Sequence, residues 1–391
     1  PPARTPLWQG ARSQHSRIRI AYLSSDFHAH ATATLMAGVF EAHNRDRFET
    51  FAFSYGPDDD SPTRQRLVSA FEHFHSVAEM RDAKIASLLH EKEIDIAVDL
   101  KGYTDKARPA ILSARPAPVQ VNYLGFPATM GAPYIDYIIA DRMVIPEGHR
   151  MHYSEKVVYL PHSNQPNDRT RRVAANPPSR ETCGLPQVGF VFCCFNNAFK
   201  IGPQVFDVWM GLLRDVEGSV LWLLEDDKLA QDNLKREAEA RGITAERIVF
   251  APRVSVEEHL ARHVLADLFL DTLPYNAHTT ASDALWMGLP IVTCAGNTFA
   301  SRVGASLLSS MGLPELVTSS LEDYGELART LAQQPERLAT IKATLARNRD
   351  ASPLFDVALF TRHLESAYAT MWERHQRNEP PQSFAVEPLS P

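Results

Sequence analysis

Residues 268–293 read LFLDTLPYNAHTTASDALWMGLPIVT. An apolar run ends at Asp271, a polar loop follows, and His278, Thr279 and Thr280 stand where a helical pattern begins. Gly288 and Pro290 close that pattern before a second apolar run, so strand, loop, helix and strand are expected in that order. The first amides of a helix have no partner within it, and the helix dipole adds partial positive charge there. Such an end is a ready anion site, here supplied with two hydroxyls and an imidazole. The stretch predicts a site for a phosphorylated ligand. Asp283 lies one turn beyond Thr279 on the same face. Its carboxylate could accept both hydroxyls of a ribose, or could simply answer the dipole of the helix.

Other constellations gain weight by position. Lys200, in CFNNAFKI after an apolar run, is a point charge suited to a diphosphate, informative because the topology should bring it to the His278 loop. In RVSVEEHLARH, Glu257, His259 and Arg262 start a helix at the same sheet edge. His259 and His263 are four apart, a metal-like spacing, but Leu260 stands where a zinc-protease motif needs Glu; an imidazole stacked on a base beside an arginine is the better reading. In SSDFHAH, Asp26, His28 and His30 precede a helix. Histidine suits proton transfer near neutrality, whereas Asp26 could merely cap that helix. In KGYTDKAR, Gly102 permits close backbone approach and Thr104 reads as a cap. The loop NYLGFPATMGAP, with Gly125 and Pro127, either wraps a small ligand or is a plain turn. The acidic runs Asp58–Asp60 and Glu225–Asp227 read as solvated loops.

These loops need strands to hold them. RIRIAYL (17–23), FETFAFS (48–54), IDIAVDL (94–100) and PVQVNYL (118–124) alternate with amphipathic stretches, as do later runs at 188–195, 219–224, 247–251, 265–271 and 289–294. Such alternation predicts α/β architecture with parallel sheets covered on both faces. At 391 residues the chain is too long for one core, and residues 161–182 have the Pro, Asn, Arg and Ser content of a linker. We expect two Rossmann-like, doubly wound domains, 17–180 and 181–354, whose strand ends face one cleft. Residues 1–16 read as the remnant of a longer protein, 355–378 as a C-terminal helix and 379–391 as a disordered tail. A net charge of −7 argues against a general nucleic-acid binder. No apolar run approaches the roughly 18 residues of a membrane span, and the start lacks the apolar core of a signal peptide. The four cysteines form no framework, which predicts free thiols in a reducing, cytoplasmic setting.

Taken together, AYLSSDFHAHATATLM, KGYTDKAR, RPAPVQVNYLGFPATMGAPYIDYIIAD, YSEKVVYLPHS, FCCFNNAFKI, LDTLPYNAHTTASDALWMGLPIVT, SRVGAS and SPLFD resemble the catalytic region of glycosyltransferase family 41, the O-linked N-acetylglucosamine transferases, in a bacterial form. Members usually carry tetratricopeptide repeats ahead of this region. The resemblance implies a GT-B fold and metal-independent, inverting transfer of GlcNAc from UDP-GlcNAc to Ser/Thr hydroxyls of a protein or peptide, with no cofactor. It assigns Lys200, His278, Thr279 and Thr280 to the diphosphate and Asp283 to the ribose. His259 and Arg262 fall to the uracil, and Val254 and Asn197 to the UDP-sugar site without a finer role. Asn197 replaces a Gln common in animal members. His30 corresponds to the active-site histidine, read either as base or as sugar contact, with Asp26, Thr104, Gly125 and Pro127 on the sugar and acceptor side. Asn164 stands where relatives are expected to carry an aromatic residue. The rival readings are the family's UDP-glucose-dependent asparagine glucosyltransferase branch, a nucleotide-sugar epimerase, and a UDP-binding protein with little transfer activity. Acceptor and oligomeric state are not legible in the sequence.

Overall fold

The computed structural model describes residues 5–10 and 15–389; half of the expected remnant, residues 1–4 and 11–14, lies outside them. The chain forms two compact units. One runs to Arg169 and resumes at Pro353, and the other is Thr170–Ser352.

The first unit holds strands β1 (Ile18–Ser24), β2 (Phe48–Ser54), β3 (His73–Ser76), β4 (Ile96–Asp99), β5 (Val119–Asn122), β6 (Tyr137–Asp141) and β7 (Lys156–Leu160). Every pairing is parallel, and the order β7-β6-β5-β4-β1-β2-β3 places the first strand centrally. Successive side chains of a strand point to opposite faces, and β1 obeys this. Ile20 and Tyr22 join one apolar cluster with Met36 and Phe40 of helix Ala31–Ala42 and Leu364 and Tyr368 of helix Val357–Gln376. Ala21 and Leu23 join another with Ile85 and Leu89 of helix Asp82–Glu91. The sheet is therefore covered on both faces. A buried relay ties the C-terminal helix down: the Tyr22 hydroxyl lies 2.8 Å from His43 Nε2, and Glu365 takes His43 Nδ1 at 3.0 Å and the Asn44 amide at 2.7 Å.

The tail departs from expectation. Instead of being disordered from 379, the described residues continue to 389. The Ser383 hydroxyl accepts the Val157 amide at 2.9 Å, and the Val386 amide donates to Tyr159 at 2.9 Å. Between them Phe384–Ala385 adds a short strand parallel to β7. The edge of β7 offers unpaired backbone groups, and this segment satisfies them. The unit boundary also falls at 169–170 rather than 180. The Ala174 amide donates to Glu257 at 3.1 Å, fastening the loop to the second unit.

In the second unit, β8 (Val191–Cys194), β9 (Val220–Leu224), β10 (Ile248–Ala251), β11 (Leu268–Leu270), β12 (Ile291–Cys294) and β13 (Val317–Thr318) form a parallel sheet ordered β10-β9-β8-β11-β12-β13. The switch in direction between β8 and β11 is where ligands bind in such sheets, outside the carboxyl ends of the strands. Both strands end at candidate residues. Cys193, Cys194 and Cys294 are buried, and all four cysteines are free. Among the described residues no helix is long and apolar enough to cross a membrane.

Candidate active site

The loop after β11 is built around Asp271. This carboxylate is 2% exposed. Its Oδ1 accepts the amides of Thr272 and Ala277 at 2.7 and 2.6 Å, and its Oδ2 accepts the Thr293 hydroxyl at 2.6 Å. The loop is closed into a ring by one side chain. Burial pushes that carboxyl up to about 6, against the hydrogen bonds that pull it down. Asn276 donates to the Thr272 carbonyl at 2.7 Å, and Leu273–Pro274 is a cis bond. The close fit extends to Gly304, where an added Cβ would lie 2.5 Å from Asp271 Oδ2 and 2.7 Å from Thr293 Oγ1. Gly304→Ala is expected to lower stability by about 1–3 kcal/mol, read by thermal melts. An unchanged melt would show that the ring yields easily.

The ring delivers Lys200 and His278 to one place. Lys200 lies beyond β8, and its Nζ donates to the Asn276 carbonyl at 2.9 Å and sits 4.0 Å from the centre of the Tyr275 ring. Burial brings the ammonium down to about 8, while Asp271 and Cys194 oppose the shift. His278 is the N-cap residue of helix Thr279–Trp286 and supplies no side-chain cap. Its ring stacks on Tyr275 at 4.9 Å and meets the Ala300 carbonyl at 3.2 Å through Nε2. Burial, then Lys200, pushes the imidazole down to about 3, so it is neutral at ordinary pH. The helix start thus follows a loop that the Lys200 ammonium reaches through the Asn276 carbonyl. Thr280 differs. Its hydroxyl donates to Asn196 Oδ1, and Asn196 in turn donates to Thr272 Oγ1 at 2.7 Å. That hydroxyl proton is committed to the scaffold, which leaves Thr280 its amide to offer a ligand.

Next to this point lies an aromatic and cationic patch. Phe195 meets His259 and His263 edge-on at 5.2 and 5.1 Å. Arg262 contacts His259, donates to the Pro252 carbonyl at 2.6 Å, and lies over the rings of Phe195 and Trp222. It is 3% exposed, and burial brings its guanidinium down to about 10. Burial and then the neighbouring His263 and Arg262 push His259 down to about 2. A neutral ring beside a buried cation suits a flat polar base better than a metal. The ring of His263 turns back onto its own helix, with Nδ1 2.8 Å from the His259 carbonyl. Val254 is exposed, and Asn197, also exposed, accepts from Arg253 at 3.3 Å. Asp283 is buried and paired with Arg171. That arginine escaped the sequence reading because its stretch looked like linker.

In the first unit, the loops after β1 and β4 converge. Lys101 Nζ donates to both oxygens of Asp26, at 2.9 and 2.8 Å. His30 N-caps helix Ala31–Ala42, its Nδ1 accepting the Thr32 amide at 3.2 Å. Asp26 therefore serves an ion pair instead of capping, and Lys101 is a buried partner that its exposed-looking KGYTDK context concealed. Thr104 donates its hydroxyl to the Lys101 carbonyl at 2.8 Å, shaping that loop. Gly125 packs so tightly that a Cβ would lie 1.9 Å from the Leu100 carbonyl. Pro127 is half-buried in the same loop, and Asn164 is buried with its amide on Asp141 at 2.8 Å.

Two parallel sheets with polar clusters at their carboxyl ends can be set beside known proteins. The glycosyl transferase family 41 profile matches residues 6–174 and 164–364. The chain belongs to glycosyltransferase family 41. It is 39% identical over 376 residues to SEC of Arabidopsis thaliana, named a probable UDP-N-acetylglucosamine–peptide N-acetylglucosaminyltransferase, which covers 95% of this chain and 38% of that protein. Against the Caenorhabditis elegans UDP-N-acetylglucosamine–peptide N-acetylglucosaminyltransferase the identity is 28%, covering 96% of this chain and 43% of that one. This family 41 chain thus spans about two fifths of the length of these relatives. An O-GlcNAc transferase variant from Thermobaculum terrenum superposes with a TM-score of 0.88 at 32% identity, over 97% of this chain and 71% of that one. HepE of Anabaena, solved with UDP and glucose, is similar in fold alone, with a TM-score of 0.61 at 13% identity, over 90% of this chain and all of that one. The fold is GT-B.

Proposed function

We propose that this chain is the catalytic part of a protein O-GlcNAc transferase. It moves GlcNAc from UDP-GlcNAc to Ser or Thr hydroxyls of a protein by direct displacement with inversion. The observation that carries the reading is the Lys200 ammonium held over Tyr275 beside the helix that starts after His278. As the bond to the sugar breaks, negative charge grows on the β-phosphate. An ammonium and helix amides already in place stabilise that charge without reorganising. The names of the family 41 relatives support the donor and the peptide acceptor.

In this reading the uracil lies against His259 and Arg262, Asp283 takes the ribose, Lys200, His278, Thr279 and Thr280 hold the diphosphate, and Val254 and Asn197 belong to the same UDP-sugar site. His30, Asp26, Thr104, Gly125 and Pro127 serve the sugar and acceptor side. Lys200 and the helix dipole replace a divalent cation, and the chain works in the cytoplasm, where its unpaired cysteines stay reduced. Mass spectrometry of a bacterial lysate incubated with the chain and UDP-GlcNAc should find N-acetylhexosamine on Ser or Thr peptides, with a yield unchanged by a chelator. Modified asparagine, a preference for UDP-glucose, or loss of turnover in chelator would overturn the corresponding part of the proposal.

A further inference from the structure

Lys101 is a lysine with almost no access to water. It follows β4, is 4% exposed, and spends two donors on Asp26, itself 6% exposed, at the end of the neighbouring strand β1. Asp26 also accepts the Ser25 hydroxyl at 3.0 Å. A buried carboxylate with fewer partners would draw a proton or a cation towards it. The nearest group able to answer is His30, whose Nδ1 lies 3.6 Å from Asp26 Oδ2. Yet His30 is turned to other use, because its Nδ1 accepts the Thr32 amide at 3.2 Å. An accepting Nδ1 carries no proton, so the neutral ring must carry it on Nε2.

We propose that Lys101 is a positioning residue: by neutralising Asp26 it keeps His30 neutral and protonated on Nε2, so that His30 meets its substrate as a hydrogen-bond donor and not as the general base. The encounter with substrate rests on the function proposed above, whereas the state of the ring does not. Acting as a base through Nε2 would require the proton to sit on Nδ1 and the Thr32 amide to lose its partner. The other charges around the ring are accounted for. Asp26 favours the cation, while Lys101, Lys106 and His28 disfavour it, and Asp59 stands 3.9 Å from His28. The start of a 12-residue helix adds positive potential against an imidazolium. Burial, the largest influence, pushes His30 below the ordinary histidine value, and Lys101 acts in the same direction.

Nitrogen NMR on the ¹⁵N-histidine-labelled, ligand-free chain tests this. His30 should show the Nε2-protonated tautomer and a midpoint below that of a free histidine. In Lys101→Met the midpoint should rise by about one unit or more, a tenfold gain in proton affinity. In the double variant Asp26→Asn/Lys101→Met it should return close to the starting value. An Nδ1-protonated ring in the unaltered chain, or an unmoved midpoint in folded Lys101→Met, would overturn the proposal. An Nδ1-protonated ring in the unaltered chain would overturn the proposal even if the single variant does not fold. Loss of transfer in every form would instead count against the proposed function and leave the NMR result standing.

Discussion

Replacing Lys200 with Met is expected to reduce transfer by at least about 10²–10³-fold without lowering the melting temperature of the unliganded protein. The two halves of this expectation come from one fact. The ammonium is enclosed over Tyr275, with the Asn276 carbonyl as its hydrogen-bond partner, and burial brings it down to about 8 from an unfolded value of 10.5. Between those values the unfolded chain holds a proton that the folded chain has released, so stability rises with pH across that window. Below it the folded state carries the full cost of the buried charge, up to an order of 3 kcal/mol. A methionine removes that cost and, under the proposed function, also removes the counter-charge to the leaving diphosphate. UDP should therefore raise the melting temperature of the unaltered chain and leave that of Lys200→Met nearly unmoved. The same shift predicts that kcat/KM for the donor falls as pH rises through about 8, where free Lys200 loses its proton. Lys200→Arg should abolish that alkaline break, since a guanidinium does not titrate there. Turnover at the normal rate in Lys200→Met, or an alkaline break that survives in Lys200→Arg, would remove Lys200 from the mechanism.

The helix start at Thr279 was legible because it is local. Strand, loop and helix start lie within residues 268–293, and the amides of a helix end require no knowledge of distant residues. Strands β1 and β2 were legible through their apolar runs, which must be buried on both faces. What escaped the sequence depends on long-range pairing. Phe384–Ala385 is too short to signal a strand, and its pairing exists because β7 leaves an edge to be covered. Lys101 and Arg171 resemble surface cations in composition, but each is buried against a carboxylate far away in sequence, Asp26 and Asp283. The useful signal for Lys101 was its place directly after a strand. A charged residue there stands at the end of the sheet where ligands bind, so its partner is worth seeking among other strand ends. Thr280 teaches the opposite lesson. Its position at the helix start was read correctly, but its hydroxyl is spent on Asn196, which no local pattern could reveal.

Asp271→Ala is expected to cost stability on the order of 3 kcal/mol or more, since it strands the amides of Thr272 and Ala277 and the Thr293 hydroxyl in a dry site. Because those three donors hold the loop that carries Tyr275 and Asn276, UDP binding should be lost together with the melting temperature. Asp271→Asn separates the two effects. Its carbonyl oxygen can still accept both amides, and the Thr293 hydroxyl can turn to accept from the new NH₂ group, so the fold should survive with a smaller penalty of about 1–3 kcal/mol. The negative charge is gone, however, and Asp271 is the largest influence holding the Lys200 proton on. Lys200 should then lose its proton at a lower pH, and the alkaline break in kcat/KM should move down from about 8 towards neutrality. A folded Asp271→Asn protein whose break stays in place would mean that the carboxylate shapes the loop and nothing more. A break that moves would make Asp271 the group that keeps Lys200 charged in the ligand-free protein.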